Sequence, residues 1–255
     1  MTGWTALVLA GSRPGVDPFA ASHGSDLKAL IPVGGEPMVR RPVRALLASK
    51  GVAKVRVLTQ QTDRLAAVLP ADPRLTVEPS GATIAATLAA ICADPLTEWP
   101  VLVTTADHAL LDETMIAEFI SRAQGADLAI GLVEARPLLA RLPGAKRTWV
   151  GFRGGRYSGA NLFALGSPRA ARAIELWRSV EQDRKKGWRL LAALGPLGLL
   201  GLLRLRSLDQ TMVSIGRRLA LKLRAVEMSD PLAAVDVDKP ADHSLVEAIL
   251  AERAR

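Results

Sequence analysis

The sequence predicts a three-layer α/β fold: a mostly parallel sheet with helices on both faces, plus a helical excursion late in the chain. Three observations predict it. Short apolar runs alternate with amphipathic helical stretches through the first half of the chain, the pattern of successive β–α–β crossovers. Hydrophobic residues are 49% and charged residues 23% of 255, a globular composition with enough apolar material for one substantial core. Aromatics are only 4% while alanine and leucine abound, which favours helices on a sheet over an all-β sandwich.

In chain order, Thr5–Ala10 is a short apolar run closed by a glycine and predicts a buried first strand. Gly11 to Asp26, rich in Gly, Pro, Ser and Asp, predicts a long loop. From Pro37 a helical pattern (Met38, Val39, Val43, Leu46, Leu47) runs to Gly51, with proline at its start and glycine past its end. Val55–Leu58 and Leu75–Val77 predict strands, and Thr83–Cys92 a helix with Ile84, Leu88 and Ile91 on one face. Val101–Thr105 predicts a fourth buried strand, Asp112–Gln124 a helix and Asp127–Val133 a further strand. Beyond Arg136 the pattern loosens. Strands are expected at Trp149–Phe152, Asn161–Leu165 and Ala234–Val237, and helices at Pro168–Val180, through most of Trp188–Leu223, and at Pro240–Arg255. No internal repeat or low-complexity linker divides the chain, so residues 1–255 are expected to form one domain with a basic, leucine-rich elaboration at about 181–224.

Composition also removes several functions. The single cysteine, Cys92, excludes an internal disulfide and a multi-cysteine zinc site, and His23, His108 and His243 lack metal-ligand spacing. The formal net charge of +8 is local: residues 184–224 hold ten basic residues against one acid, Asp209, and the remainder is close to neutral. A general nucleic-acid coat is therefore not expected. Thr5–Ala10 has no basic region before it and leads into a turn, so no signal peptide is read and a cytoplasmic location is expected.

The residues that carry chemistry sit after the predicted strands. In Leu9-Ala-Gly-Ser-Arg-Pro-Gly15, at the carboxyl end of the first strand, glycines would let backbone approach a phosphate, and Arg13 and Lys28 would neutralise it. The same residues also fit a surface loop with two solvated cations. Asp107, in Thr104-Thr-Ala-Asp107-His108, follows the fourth strand and suits either a turn cap or a divalent cation, which takes one or two carboxylates.

Two motifs resolve those alternatives by resemblance. Leu9-Ala-Gly-Ser-Arg13, followed by Lys28-Ala-Leu-Ile-Pro-Val-Gly-Gly-Glu-Pro-Met38, resembles the opening of the nucleotidyltransferase superfamily with the GT-A-like fold. Its MobA-like branch and the sugar-phosphate nucleotidyltransferases carry a similar run, although this chain lacks the second consecutive glycine and has a longer spacer before Lys28. Val235-Asp-Val-Asp238-Lys-Pro-Ala-Asp242 is similar to the "D-T-P-E-D" ending of the same superfamily. The resemblance implies a nucleotide loop at Leu9, Ala10, Gly11, Ser12, Arg13 and Lys28, with Arg13, Lys28 and Asp107 catalytic. It implies Mg²⁺ (or Mn²⁺) on Asp107 and Asp238, and an NTP as co-substrate. Asp236 matches the metal position less well, and Asp242 suits a helix start beside Pro240.

Glu78-Pro-Ser80-Gly81 looks like the family's base-reading loop, which marks Ser80 and Gly81; an ordinary helix start fits the same residues. Arg156-Tyr157-Ser-Gly159-Ala-Asn161 resembles the acceptor segment, with Tyr157, Asn161 and Arg153 as acceptor-binding residues and Lys146 and Arg147 near by. His108, beside Asp107, is expected to be a solvated loop histidine, with a substrate contact as the alternative.

The resulting expectation is a metal-dependent transfer of an NMP unit from an NTP to a small phosphorylated acceptor, such as a sugar, alditol or cofactor phosphate, with release of pyrophosphate. Trp188–Leu203 is apolar but broken by Gly195, Pro196, Gly198 and Gly201, too short to span a bilayer. With its basic flanks, 184–224 suits either an anionic membrane surface, at the inner face, or a cap or homo-oligomer contact. Two other readings stay open. One is a GT-A glycosyltransferase using Asp236-Val-Asp238 as its D-x-D motif. The other is a non-catalytic membrane- or partner-binding module on a degenerate transferase fold.

Overall fold

The computed structural model describes residues 3–12, 15, 17–181 and 205–254. The first elements are β1 (Trp4–Leu9), α1 (Pro18–Ser22), β2 (Pro32–Val33), β3 (Glu36–Pro37), α2 (Arg40–Ala48), β4 (Val52–Thr59), α3 (Thr62–Ala66) and β5 (Leu75–Pro79). Next come α4 (Ile84–Ala93), β6 (Val101–Thr105), α5 (Glu113–Ala123), β7 (Leu128–Glu134) and α6 (Ala135–Arg141). The remainder is β8 (Val150–Phe152), β9 (Gly155–Leu165), α7 (Ala171–Glu181), α8 (Leu208–Leu219), β10 (Leu223–Glu227) and α9 (Pro240–Arg253).

The main sheet has the order β10-β7-β9-β6-β1-β4-β5, with β8 paired to β9. The pairs among β6, β1, β4 and β5 are parallel, as is β10 with β7. Only β9 reverses, running antiparallel to β6, β7 and β8. Successive residues of β1 enter opposite layers: Ala6 and Val8 join the larger core with α2 and α5, while Leu7 joins Leu88, Ile91 and Ile174 of α4 and α7. A strand covered on both faces reads as a continuous apolar run, which is why Thr5–Ala10 was legible. The expected three-layer, mostly parallel architecture is the one observed.

Local signals explain the helix starts. Thr83 caps α4 by accepting from the Ala86 amide, and Asp112 caps α5 by accepting from the Met115 amide. Ile84, expected on the buried face with Leu88 and Ile91, is 39% exposed because it lies at the first turn of α4. Ser207 and Gln210 form a reciprocal capping box at α8.

Four expectations need correction. Ala234–Val237 is not a strand: Pro231–Ala234 is a 3-10 turn and the chain then runs extended, its Val237 amide bonded to the Asp107 carbonyl instead of a ladder. Alternating burial of Val235 and Val237 comes from packing as a loop under the sheet edge. The strand in this part of the chain is β10, which starts at the last residue of the expected Trp188–Leu223 helical stretch and continues where no element was expected. Gly11–Asp26 is not loop throughout, since Asp17 caps the short helix α1 with Pro18 at its first position. Pro37 pairs with Pro32 in the β2–β3 hairpin, and the helix begins at Arg40. Lastly, β9 starts at Gly155, six residues before the expected Asn161.

Of the excursion, 182–204 lie outside the described residues, including the apolar Trp188–Leu203 run. Within 205–224, α8 packs on β10 and is part of the sheet assembly. Among the described residues no helix is long and apolar enough to cross a membrane.

Candidate active site

Parallel pairing puts the ends of β1 and β6 side by side, Leu9 opposite Thr105. The Ala106 amide donates to the Leu9 carbonyl, so the turn carrying Asp107 begins against the first glycine loop. The Thr105 hydroxyl donates to Asp107 Oδ1 at 2.5 Å and orients that carboxylate. The loop 235–238 then returns over the same edge, tied by the Val237 amide to the Asp107 carbonyl at 3.1 Å. That bond helps to bring Asp238 to Asp107 from the far end of the sequence.

Lys28 completes the cluster. It sits in a 3-10 turn, Lys28–Leu30, locked by the Val39 amide bonding the Ala29 carbonyl. Its ammonium donates to Asp107 Oδ2 at 2.6 Å and also to Asp238 Oδ1. Burial pulls the Lys28 pKa down, but the two carboxylates outweigh burial and the net shift is upward. Asp107 and Asp238 thus present oxygen atoms around one cationic point, although only Asp238 is largely exposed. Two carboxylates with room for water and phosphate oxygens suit a hard divalent cation. Among the described residues, no group of three or more His, Cys, Asp or Glu is placed to hold a metal. Asp242 lies in the first turn of α9, and its carboxylate accepts the Asp238 amide at 3.2 Å.

The glycine loop meets a residue that sequence reasoning missed. Gln60, just past β4, accepts the Ser12 amide at 2.9 Å through Oε1 and donates to the Gly81 carbonyl through Nε2. It therefore staples the first loop to the loop after β5. A Cβ on Gly11 would sit 3.1 Å from the Gln60 amide and 3.4 Å from Ser80 Oγ, so a side chain here would press on the Gln60 contact. Ser80 Oγ is buried with no hydrogen-bond partner among the described residues. The Gly81 amide donates to Thr87 Oγ1 of α4 at 3.0 Å. Leu9 and Ala10 end β1 beneath this assembly, while Arg13 lies outside the described residues. No pattern in the sequence marks Gln60: it follows a strand without a glycine or a charged neighbour.

Of the remaining expected residues, Tyr157 and Asn161 lie around a separate cavity of about 590 Å³ that opens beside Asp238. Asn161 lies in a bulge of β9: Ile130 and Leu132 of β7 pair with Phe163 and Gly159, so β9 carries extra residues there. Its φ of +48° is left-handed, a conformation asparagine tolerates better than most residues. The bulge needs Gly131 opposite, where a Cβ would meet Leu162 Cβ at 3.0 Å. So aimed, Asn161 donates to Asp236 at 3.0 Å, and Arg147 bonds the other oxygen of the same carboxylate. Asp236 is thus engaged by Asn161 and Arg147, while Asp238 bonds Lys28. Tyr157 lines the cavity with Asn161. Arg153 does not; its guanidinium donates to Gln210 of α8.

His108 corrects an expectation. It is fully buried, with Nδ1 3.2 Å from Thr104 Oγ1. Burial drives its pKa down to about 4 against the opposing pull of Asp236, so the ring is neutral at pH 7. The tight return of the chain at 233–237 takes it out of solvent, which a loop position in sequence did not foretell.

The model of the MobA-like NTP transferase domain matches residues 6–197, about three quarters of the chain. The chain belongs to this family. No curated protein sequence matches it. Among solved structures, this MobA-like domain is similar to a hypothetical transferase from Thermus thermophilus. Identity is 28% and the TM-score 0.77, covering 95% of this chain and 100% of that one. It is also similar to 4-diphosphocytidyl-2C-methyl-D-erythritol synthase of Anaerococcus prevotii, at 10% identity and TM-score 0.63, covering 98% and 96%. A third is 2-C-methyl-D-erythritol 4-phosphate cytidylyltransferase of Thermus thermophilus, at 18% identity and TM-score 0.53, covering 98% and 100%. The latter two likenesses concern the fold alone. The MobA-like domain is thus a nucleotidyltransferase-family fold, with its charged cluster and its cavity at one edge of the sheet.

Proposed function

We propose that residues 1–255 act as one nucleotidyltransferase domain, moving an NMP unit from an NTP to a small phosphorylated acceptor with release of pyrophosphate. One observation carries the reading: Lys28, Asp107 and Asp238 converge from three distant parts of the sequence on one point at the carboxyl edge of the sheet. In open α/β sheets that edge is where ligands bind. Asp107 and Asp238 would hold Mg²⁺ or Mn²⁺, which when bound neutralises charge on the triphosphate.

The chain's own residues then have distinct tasks. Gly11 and Ser12 bring backbone close to the phosphates, and Lys28 and Arg13 neutralise them. Ser80 and Gly81, stapled to the first loop by Gln60, face the base. Tyr157 and Asn161 face the acceptor. An acceptor phosphate is already ionised at neutral pH, so its oxygen attacks the α-phosphorus without a protein nucleophile. Catalysis rests on in-line positioning and charge neutralisation.

The test is thermal unfolding with ATP, CTP, GTP and UTP, with and without Mg²⁺, alongside pyrophosphate release. A hundredfold excess over Kd should add about 2.7 kcal/mol of stability. A metal-dependent shift with one base, absent in Asp107→Asn, supports the reading. No shift with any NTP at millimolar concentration sinks it. The separate engagement of Asp236 weighs against the D-x-D glycosyltransferase alternative, for which transfer from a nucleotide sugar without pyrophosphate would be the sign.

A further inference from the structure

We propose that the cavity beside Asp238 takes an amphipathic phosphomonoester, its anionic head at Lys146 and Lys239 and its apolar body along Ile130, Leu132 and Val150. Such a molecule would be the acceptor, an inference that rests on the nucleotidyl-transfer reading.

The cavity floor is formed in part by β7. Its residues alternate between buried and half-buried, yet both faces are apolar: Ala129 and Val133 are buried in the core, while Ile130 and Leu132 line the cavity. Val150 of β8, 40% exposed, continues this floor, and Met212 of α8 forms a side wall. Half-exposed apolar side chains on inner strands of a sheet are what a ligand's apolar body would cover.

The cavity is also kept open. Gly159, paired with Leu132 across the strands, has no atom within 4 Å of the position a Cβ would take, and its backbone does not demand glycine. It differs in this from Gly131, which the bulge requires. Space is left on the floor where any larger residue would have filled it.

Polar groups gather at the other end, next to Asp238. There Asp236 is occupied by Arg147 and Asn161, and Asp242 by the Asp238 amide. Lys146 and Lys239 form no ion pair among the described residues. Asp242 accepts only a neutral amide and keeps its charge, so at this end two ammonium groups face one carboxylate without an ion pair, a balance that suits a phosphate head. A volume of about 590 Å³ holds a small-molecule body as well as that head. A polyol body would find Thr148, Tyr157 and Ser158 among the lining, but the floor of Ile130, Leu132 and Val150 offers it no side-chain hydrogen-bond partner.

The test titrates the full chain, with Mg²⁺, with methyl, butyl and hexyl phosphate and with sorbitol 6-phosphate. Affinity should tighten by about fourfold per methylene covered. Gly159→Leu should weaken hexyl phosphate at least tenfold and methyl phosphate less than twofold. The same variant should keep the NTP–Mg²⁺ thermal shift, which shows that it folds. Flat affinity across the alkyl series, tighter binding of sorbitol 6-phosphate than of hexyl phosphate, or equal weakening of every ligand by Gly159→Leu would each overturn the proposal. Absence of the NTP–Mg²⁺ shift in the unmodified chain would sink the transferase reading alone, leaving the alkyl series to decide the nature of the cavity.

Discussion

The half of the sheet made by β5, β4, β1 and β6 is wholly parallel, and its candidate site residues sit on loops just past strand ends. The other half mixes directions. There β9 runs antiparallel between β6 and β7, and its groups project from a bulge within the strand. In the first half, position comes from the strand-to-loop transition and short local bonds, as with Thr105 on Asp107. In the second, position comes from cross-strand packing and from an ion pair linking Arg147 to Asp236. The proposed catalytic point is thus built on the regular half, and a shaped cavity on the irregular one.

That contrast breaks most sharply at Asp107. Asp107→Asn should lower nucleotidyl transfer by about a hundredfold or more while unfolding in urea changes little, because the loss is of charge at one partly exposed point. If stability falls as much as activity, the carboxylate serves the fold first. In the irregular half the order should reverse. Asp236→Ala leaves the Arg147 guanidinium, itself mostly covered, without its partner. It should cost about 3 kcal/mol in urea unfolding and raise the acceptor KM with little effect on the NTP KM.

A smaller effect is expected where β7 meets β10. Asp127 is buried and accepts the Lys222 amide and the Ser167 hydroxyl, each at 2.8 Å. The Lys222 backbone bond, ahead of any other cause, holds its pKa below the usual carboxylate range. Asp127→Ala should cost about 2 kcal/mol at pH 7. Since the folded pKa is depressed, this stabilisation is full above the unfolded value of about 3.9 and is lost as pH falls through the folded one. Urea curves at pH 7 and pH 3 should therefore show the gap between the two proteins closing at low pH.

Gln60→Ala should raise the NTP KM about fivefold and leave the acceptor KM unchanged, since it removes two neutral hydrogen bonds between the nucleotide loops. An unchanged NTP KM would mean the staple is only structural. Smallest of all, Thr83→Ala should cost about 1 kcal/mol through the lost cap of α4, with both KM values unaltered.

The sequence by itself determined the parallel half. Its strands are buried on both faces and read as continuous apolar runs, and its functional residues follow them within a few positions, as Gly11 follows Leu9 and Asp107 follows Thr105. Local signals of this kind survive in one dimension. They also mark Asp107 and Asp238, which each belong to a short recognisable motif. What tertiary structure alone decided depends on partners far away in the chain. Lys28 and Asp238 are 210 positions apart and meet where Val237 docks on Asp107. Gln60 acquires a role only from the loops either side of it, and His108 lost its solvent to a segment more than a hundred residues later. The apolar floor at Ile130 and Leu132 looks like any core strand in sequence, since hydrophobicity does not say whether a side chain meets protein or a cavity. That difference is set by β9, whose reversal and bulge leave Gly159 facing open space.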